Sequence, residues 1–329
     1  MLVQLHAEAP AAEVRQRLQA MGLWTRDLKR DDGSIGSIEI KPGSAPVPIA
    51  VLQAVPGVRE VHAPASLHPH VDRARGRSAS VQSISFDGKT PVLIAGPCAI
   101  ESEEAIHKQA QIAAEAGATM LRGGAYKPRT SPHAFSGHGE IALGWMRSAA
   151  SSMGLAMLTE VLSERTVDLV ASHADMLQIG SRNMQNFALL DVVGQTGLPV
   201  LLKRSRGASI EEWLLAGEHL FASGSETIVF CERGIQGFDR QTRNLLDVGA
   251  IAILRHELGL PVIADPSHAT GRRDLVVPLA NAAVVAGAHG VMVEFSEDPG
   301  NALSDGPQAI SPADLAQLGE QMGLREGTP

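Results

Sequence analysis

PVLIAGPCAIESEEAIHKQAQIAAEAGATMLRGG, residues 91–124, holds one complete unit of a repeating pattern. An apolar run, PVLIAGPC (91–98), leads into a helical stretch from Ser102 to Gly117, and a second apolar run, TMLRGG (119–124), follows. Runs that are apolar on both faces suit a parallel sheet covered on both sides. Ser102 offers an N-capping hydroxyl and Gly117 a C-terminal stop, so the segment reads as strand, helix, strand.

Moving outward, the same pattern recurs at LAMLTEV (155–161), MLQIGS (176–181), PVLLKR (199–204), TIVFCER (227–233), PVIADPSH (261–268) and GVMVEF (290–295). Eight such units in roughly 240 residues predict an α/β chain folded as a (β/α)8 TIM barrel. An open doubly wound sheet is the main rival; it usually has fewer strands, and no GxGxxG follows the first run here. Upstream, VQSISF and KTPVLIAG flank Asp87-Gly88, which predicts a lead-in hairpin.

The stretch 64–82, PASLHPHVDRARGRSASVQ, mixes prolines, charges and small residues and reads as a linker. Ahead of it lie a strand (LVQLHA), a helix (AEVRQRLQAMGL), two strands flanking Asp32-Gly33 (WTRDLKR and SIGSIEI), a second helix (PVPIAVLQAVPG) and a last strand (VREVHA). The order βαββαβ is that of a ferredoxin-like module. The expected organisation is a ferredoxin-like domain over 1–68, either a regulatory module or a stabilising or oligomerising appendage, a linker over 69–80 and a barrel over 81–329.

Composition narrows the function. The chain has 44% hydrophobic residues and a formal net charge of −8, so nucleic acid and acidic membrane surfaces are poor partners. Two cysteines imply no disulfide scaffold. The N-terminus lacks the pattern of a secretory signal, and the apolar stretch 276–295 is interrupted by Pro278, Asn281, Gly287 and His289, so it reads as a helix then a strand. A soluble, cytoplasmic protein is expected.

The apolar runs end in polar residues: Cys98, Arg122, Glu160, Arg182, Lys203 and Arg204, Glu232 and Arg233, Asp265 and His268, and Glu294. One charged residue at a strand end is ordinarily a solvated loop residue. All eight ends share the pattern, and in a parallel barrel these ends converge on the face that carries the active site. Two chemistries separate within the set. Cys98, His268, Glu294 and Asp305 offer a thiolate, an imidazole and two carboxylates, a donor mix that suits one divalent Mn, Fe, Co or Zn ion better than Mg or Ca. Arg122, Lys127, Arg129, Arg182, Lys203 and Arg233 place six cations on the same face, which predicts anionic substrates.

At these residues the chain resembles the 3-deoxy-7-phosphoheptulonate (DAHP) synthases, in the short microbial subtype with an N-terminal ferredoxin-like domain. The motifs that carry the resemblance are AGPC (95–98), LRGGAYKPRTSP (121–132), QIGSRNMQNF (178–187), LLKR (201–204), CERGI (231–235), TRNLLD (242–247), DPSHATGRRDL (265–275) and ALSDGPQ (302–308). The KPRTSP segment separates this group from the related 3-deoxy-octulosonate 8-phosphate synthases, whose segment runs through Asn-Arg-Ser-Ser.

The resemblance implies a metal-dependent, aldol-type condensation of phosphoenolpyruvate with erythrose 4-phosphate, giving DAHP and phosphate, the first step of the shikimate pathway. It implies the metal on Cys98, His268, Glu294 and Asp305, and phosphoenolpyruvate on Arg122, Lys127, Arg182, Lys203 and Arg233. Erythrose 4-phosphate would meet Pro128, Arg129 and Thr130, and Glu160, with Lys127, would hold the attacking water. A homotetramer with an aromatic amino acid effector on the N-terminal module is implied as well. The chain departs from the family pattern at Ser205 (commonly Gly), Ser296 (commonly His), Ser136 and His138. The alternatives are a sister synthase such as 3-deoxy-octulosonate 8-phosphate synthase and a non-catalytic regulatory barrel.

Overall fold

The computed structural model describes residues 1–127, 133, 135–300 and 304–325, and divides into units 1–67 and 68–329. The first unit runs β1 (Leu2–Leu5), α1 (Ala11–Ala20), β2 (Thr25–Lys29), β3 (Ile35–Ile40), α2 (Ile49–Gln53) and β4 (Val58–His62). Its strands form an antiparallel sheet in the order β2-β3-β1-β4, the ferredoxin-like arrangement that the element order predicts. Along β3 burial alternates, with Gly36, Ile38 and Ile40 turned inward, because successive side chains of a strand point to opposite faces. Val3, Leu5, Val14, Leu18, Ile38 and Leu52 fill the core between sheet and helices. The β2–β3 turn is made at Asp32-Gly33, with Gly33 at φ 82° and Asp32 Oδ1 accepting from the Ser34 amide.

The second unit begins with α3 (Pro69–Ala74) and a hairpin of β5 (Ala79–Val81) and β6 (Ile84–Phe86). Both differ from the sequence reading. The segment read as a linker opens with a helix whose Val71 is fully buried; the carboxylate of Glu218 caps it, taking the amides of His70 and Val71 at 2.9 and 3.0 Å. The cap lies far along the chain, so no local signal announces it. The hairpin turns at Gln82, which adopts φ 53° without being glycine, and Asp87-Gly88 instead leads out of the hairpin into the barrel.

The barrel strands are β7 (Val92–Gly96), β8 (Met120–Arg122), β9 (Ala156–Val161), β10 (Met176–Ile179), β11 (Val200–Lys203), β12 (Ile228–Glu232), β13 (Val262–Ala264) and β14 (Gly290–Glu294). They pair in parallel and close, with Gly290 opposite Val92 and Glu294 opposite Gly96. The helices between and after them are α4 (Glu103–Glu115), α5 (Glu140–Ser152), α6 (Val167–Ala171), α7 (Phe187–Gly194), α8 (Ile210–Ala222), α9 (Val248–Ala252), α10 (Pro266–Thr270), α11 (Val276–Val285) and α12 (Pro312–Gln321). Ser102 caps α4 through its hydroxyl, accepting from the Ala105 amide. Residues 276–295 are a helix and a strand as expected, and no described helix is long and apolar enough to cross a membrane.

Ala79, Val81 and Phe86 of the β5–β6 hairpin pack with Val92, Met120, Ala156 and Met176, residues at or near the starts of the strands. This apolar stopper fills the N-terminal end of the barrel. Polar strand ends are thereby left to the other mouth, which the chemistry can use.

Candidate active site

Alternation along the strands sorts the strand-end residues. On β11, Leu201 points into the barrel interior and Lys203, two residues on, continues on the same side; on β12, Cys231 is interior and Arg233 follows it. Arg204 and Glu232 occupy the opposite side. They do not face the mouth: Arg204 Nη1 donates to Glu232 Oε2 at 3.0 Å and to Asp247 Oδ2 at 2.9 Å, and Arg204 Nε donates to the Ala208 carbonyl. The guanidinium lies over the Trp213 ring, 5.7 Å from its centroid. Glu232 Oε1 also accepts from the Gly234 amide at 2.6 Å. This buried network ties the ends of β11 and β12 to the loop carrying TRNLLD, so that Lys203 and Arg233 both aim into the mouth.

A cavity of about 590 Å³ occupies the mouth. Arg122, Lys127, Glu160, Arg182, Lys203, Arg233, His268 and Asp305 line it, all expected from the sequence. Arg206, Arg243, Asn244, Gln178 and Ser205 line it too and received no role there. Arg243 and Asn244 lie in the TRNLLD motif, which was the available signal; Arg206 lies beside Ser205 in a loop with no such signal. Pro128, Arg129 and Thr130 lie outside the described residues. A second cavity of about 680 Å³ sits between residues 204–209 and 235–238 and shares only Arg206 with the first; it contains none of the proposed metal ligands or substrate-binding cations.

Beside the main cavity, Cys98, Glu294 and Asp305 bring one ligand atom each within 4.8 Å of one another. Cys98 follows Gly96 and Pro97, and Gly96 is required there: a Cβ would fall 1.9 Å from the Arg122 carbonyl oxygen. Asp305 sits on the turn after β14 at φ 50°, with its Oδ2 3.0 Å from Cys98 Sγ. His268, expected from the sequence as a fourth ligand, is not within that mutual distance of all three; it stands beside them on α10, its Nε2 3.3 Å from Glu294 Oε1. Its Nδ1 is 2.7 Å from Asp265 Oδ2, which sets the ring's orientation. A thiol, an imidazole nitrogen with its partner fixed and two facing carboxylates fit a divalent transition-metal ion, with the softer sulfur and nitrogen donors disfavouring Mg or Ca.

The electrostatics are those of a cation-rich site around buried carboxylates. Burial and the Glu294 charge push the Cys98 thiol up to about 12, against Lys127 and Arg122. Lys127 Nζ lies 3.0 Å from the sulfur and 2.9 Å from the Cys98 carbonyl. Burial alone would raise Glu294, but His268, Arg122 and Lys127 outweigh it and bring the carboxyl down to about 2. Arg122 Nη1 donates to Glu294 at 2.8 Å and to the Pro97 carbonyl at 2.7 Å. Asp265 is held well below the carboxylate range despite burial, by His268 and then Lys203, whose Nζ is 2.6 Å from Oδ2. Burial pushes Arg233 down and Glu232 up.

Comparison with known proteins agrees with this geometry. Residues 76–326 match the sequence pattern of the DAHP synthetase I family. A phospho-2-dehydro-3-deoxyheptonate aldolase of Thermotoga maritima is 48% identical over 230 residues, covering 70% of this chain and 68% of its own. The crystal structure of a Thermotoga maritima DAHP synthase superposes with a TM-score of 0.77 at 38% identity, over 98% of this chain and 96% of that one. A 2-dehydro-3-deoxyphosphooctonate aldolase of Syntrophobacter fumaroxidans is more distant, 32% identical over 70% of this chain and 85% of its own.

Proposed function

The chain belongs to the DAHP synthetase I family, and from that premise we propose that it condenses phosphoenolpyruvate with erythrose 4-phosphate and water to give DAHP and inorganic phosphate. The observation that carries this reading is the mouth of the barrel. Seven cationic side chains, Arg122, Lys127, Arg182, Lys203, Arg206, Arg233 and Arg243, line one cavity next to the Cys98, Glu294 and Asp305 cluster. Two phosphorylated substrates repel each other in water, and a set of fixed cations offsets that repulsion while holding both in place.

In the proposed reaction Arg122, Lys127, Arg182, Lys203 and Arg233 hold the carboxylate and phosphate of phosphoenolpyruvate, and Pro128, Arg129 and Thr130 hold the phosphate end of the aldose. Cys98, His268, Glu294 and Asp305 would carry one divalent ion, Mn, Fe, Co or Zn, which when bound supplies Lewis-acid polarisation of the aldehyde oxygen. C3 of phosphoenolpyruvate bonds to the aldehyde carbon, and positive charge develops at C2. Glu160 and Lys127 position a water whose oxygen bonds to C2 while Glu160 accepts a proton from it. The C2–O bond to phosphate then breaks as the new C2 hydroxyl gives up its proton, leaving the ketone and inorganic phosphate; of the water's two protons, one ends on the former aldehyde oxygen, now a hydroxyl, and one on the phosphate. Burial of the surrounding groups strengthens these contacts.

The proposal extends to a cytoplasmic homotetramer in which the ferredoxin-like module 1–67 binds an aromatic amino acid. Its support is the separate fold of that module and the near-complete coverage by the Thermotoga structure. The test of the substrate assignment is phosphate release with erythrose 4-phosphate and arabinose 5-phosphate side by side. A kcat/KM at least tenfold higher for the four-carbon sugar is expected; the reverse order assigns the chain to the octulosonate reaction.

A further inference from the structure

ALSDGPQ ends in Gln308, a residue to which neither the motif nor the reaction gives a task. Its side chain is fully buried, and its Nε2 donates to Glu294 Oε2 at 2.5 Å. The other oxygen of Glu294 is taken by Arg122 Nη1 at 2.8 Å and faces His268 Nε2 at 3.3 Å. A carboxylate only accepts hydrogen bonds, so the amide must present its NH2 group to it, and the two donors together fix the plane of the carboxylate.

Gln308 also belongs to the turn that supplies Asp305. Its amide donates to the Asp305 carbonyl at 3.1 Å, and the Ile310 amide donates to the Glu294 carbonyl at 3.0 Å. Arg273 Nη2 holds the Gly306 carbonyl at 3.0 Å. Asp305 keeps a left-handed backbone, φ 50°, which aspartate adopts more readily than most residues with a side chain, and these hydrogen bonds hold the turn around it. One side chain thus links the strand that carries Glu294 to the turn that carries Asp305.

We infer that Gln308 is a positioning residue for the metal: it docks the 305–308 turn on Glu294 and sets the approach of the two carboxylates. The inference rests on the proposed metal site at Cys98, His268, Glu294 and Asp305. A residue that orients a ligand from behind contributes to metal affinity without touching the ion, by a factor of roughly 10–100 where such partners have been removed.

The experiment is calorimetric titration of Mn²⁺ into the demetallated full-length chain, for wild type, Gln308→Met and Gln308→Asn. Methionine keeps the bulk and removes the donor; asparagine keeps the amide and withdraws it by one methylene. The melting temperature of each metal-free protein is recorded in parallel. Both variants should bind Mn²⁺ at least tenfold more weakly than wild type. A lowered melting temperature with a Kd within twofold of wild type would make Gln308 merely structural and overturn the inference. If the methionine variant does not fold, the asparagine variant decides by the same criterion. A wild-type chain that takes up neither Mn²⁺ nor Co²⁺ overturns the metal reading itself, and the inference with it.

Discussion

Asp265 Oδ2 lies 2.7 Å from His268 Nδ1 and, through this contact, holds the other ring nitrogen of His268 toward Glu294. The same oxygen takes Lys203 Nζ at 2.6 Å. One carboxylate therefore orients a proposed metal ligand and neutralises a proposed phosphoenolpyruvate cation. Asp265→Asn should weaken metal binding roughly 10–100-fold and raise KM for phosphoenolpyruvate. It also leaves Lys203 buried without a counter-charge, at a cost of about 3 kcal/mol in stability. Metal titration, steady-state kinetics and urea unfolding check the three effects. Wild-type metal affinity in the variant contradicts the orienting role.

Gly180 stands where β10 delivers the chain to the mouth, and a Cβ there would fall 1.9 Å from Glu160 Oε1. The obstacle is the end of a side chain, so the fold can yield by moving the carboxylate. Gly180→Ala should lower kcat by about 100-fold or more, in line with the loss of one positioned acid–base group, with little change in melting temperature. Full activity in that variant would remove Glu160 from the water-holding role.

The Arg204–Glu232 pair predicts a different pattern. Both groups are buried, and Glu232→Ala strands Arg204 with Asp247 as its remaining carboxylate, at 2.9 Å. A loss of about 3 kcal/mol is expected, together with a higher KM for phosphoenolpyruvate, because Lys203 and Arg233 are the adjacent residues. KM for the aldose phosphate should change much less. Equal changes in both constants would show that the network supports the fold without aiming these two cations.

The barrel was legible because its strands are buried on both faces and read as unbroken apolar runs, from PVLIAG to GVMVEF. The polar ends were legible as a set. The inward and outward division of Lys203 from Arg204, and of Arg233 from Glu232, follows from strand alternation, yet it needs the paired strand to show what the outward residues meet. Elsewhere the deciding partner is remote. Glu218 makes a helix of residues 69–74, and Glu294 explains Gln308; neither relation leaves a trace in local spacing. The β5–β6 turn was missed because Gln82 takes a left-handed conformation that sequence reasoning assigns first to glycine.

His289, just ahead of β14, gives a prediction about pH. Burial, followed by the nearby charge of Arg255, lowers its pKa from 6.5 to about 4; Asp87 and His256 are the other titratable neighbours. The unfolded chain therefore binds a proton that the folded chain refuses. Stability is unaffected above the unfolded value and falls as pH drops through 6.5 toward the folded value. Between pH 8 and pH 5 this group should cost the fold about 2 kcal/mol. Urea unfolding of wild type and His289→Asn at both pH values checks it: the variant should lose that part of the pH dependence. An identical dependence in the two proteins contradicts the assignment.

The central claim is that this barrel mouth joins two phosphorylated molecules by a metal-dependent carbon–carbon bond. The most direct measurement is carbon NMR of a reaction with phosphoenolpyruvate labelled at C3 and erythrose 4-phosphate, run with demetallated chain and again after adding Mn²⁺. The account predicts label within a seven-carbon product and one phosphate released per product, in the metal-restored sample alone. Phosphate release without erythrose 4-phosphate, or an equal yield of product from the demetallated chain, would contradict it.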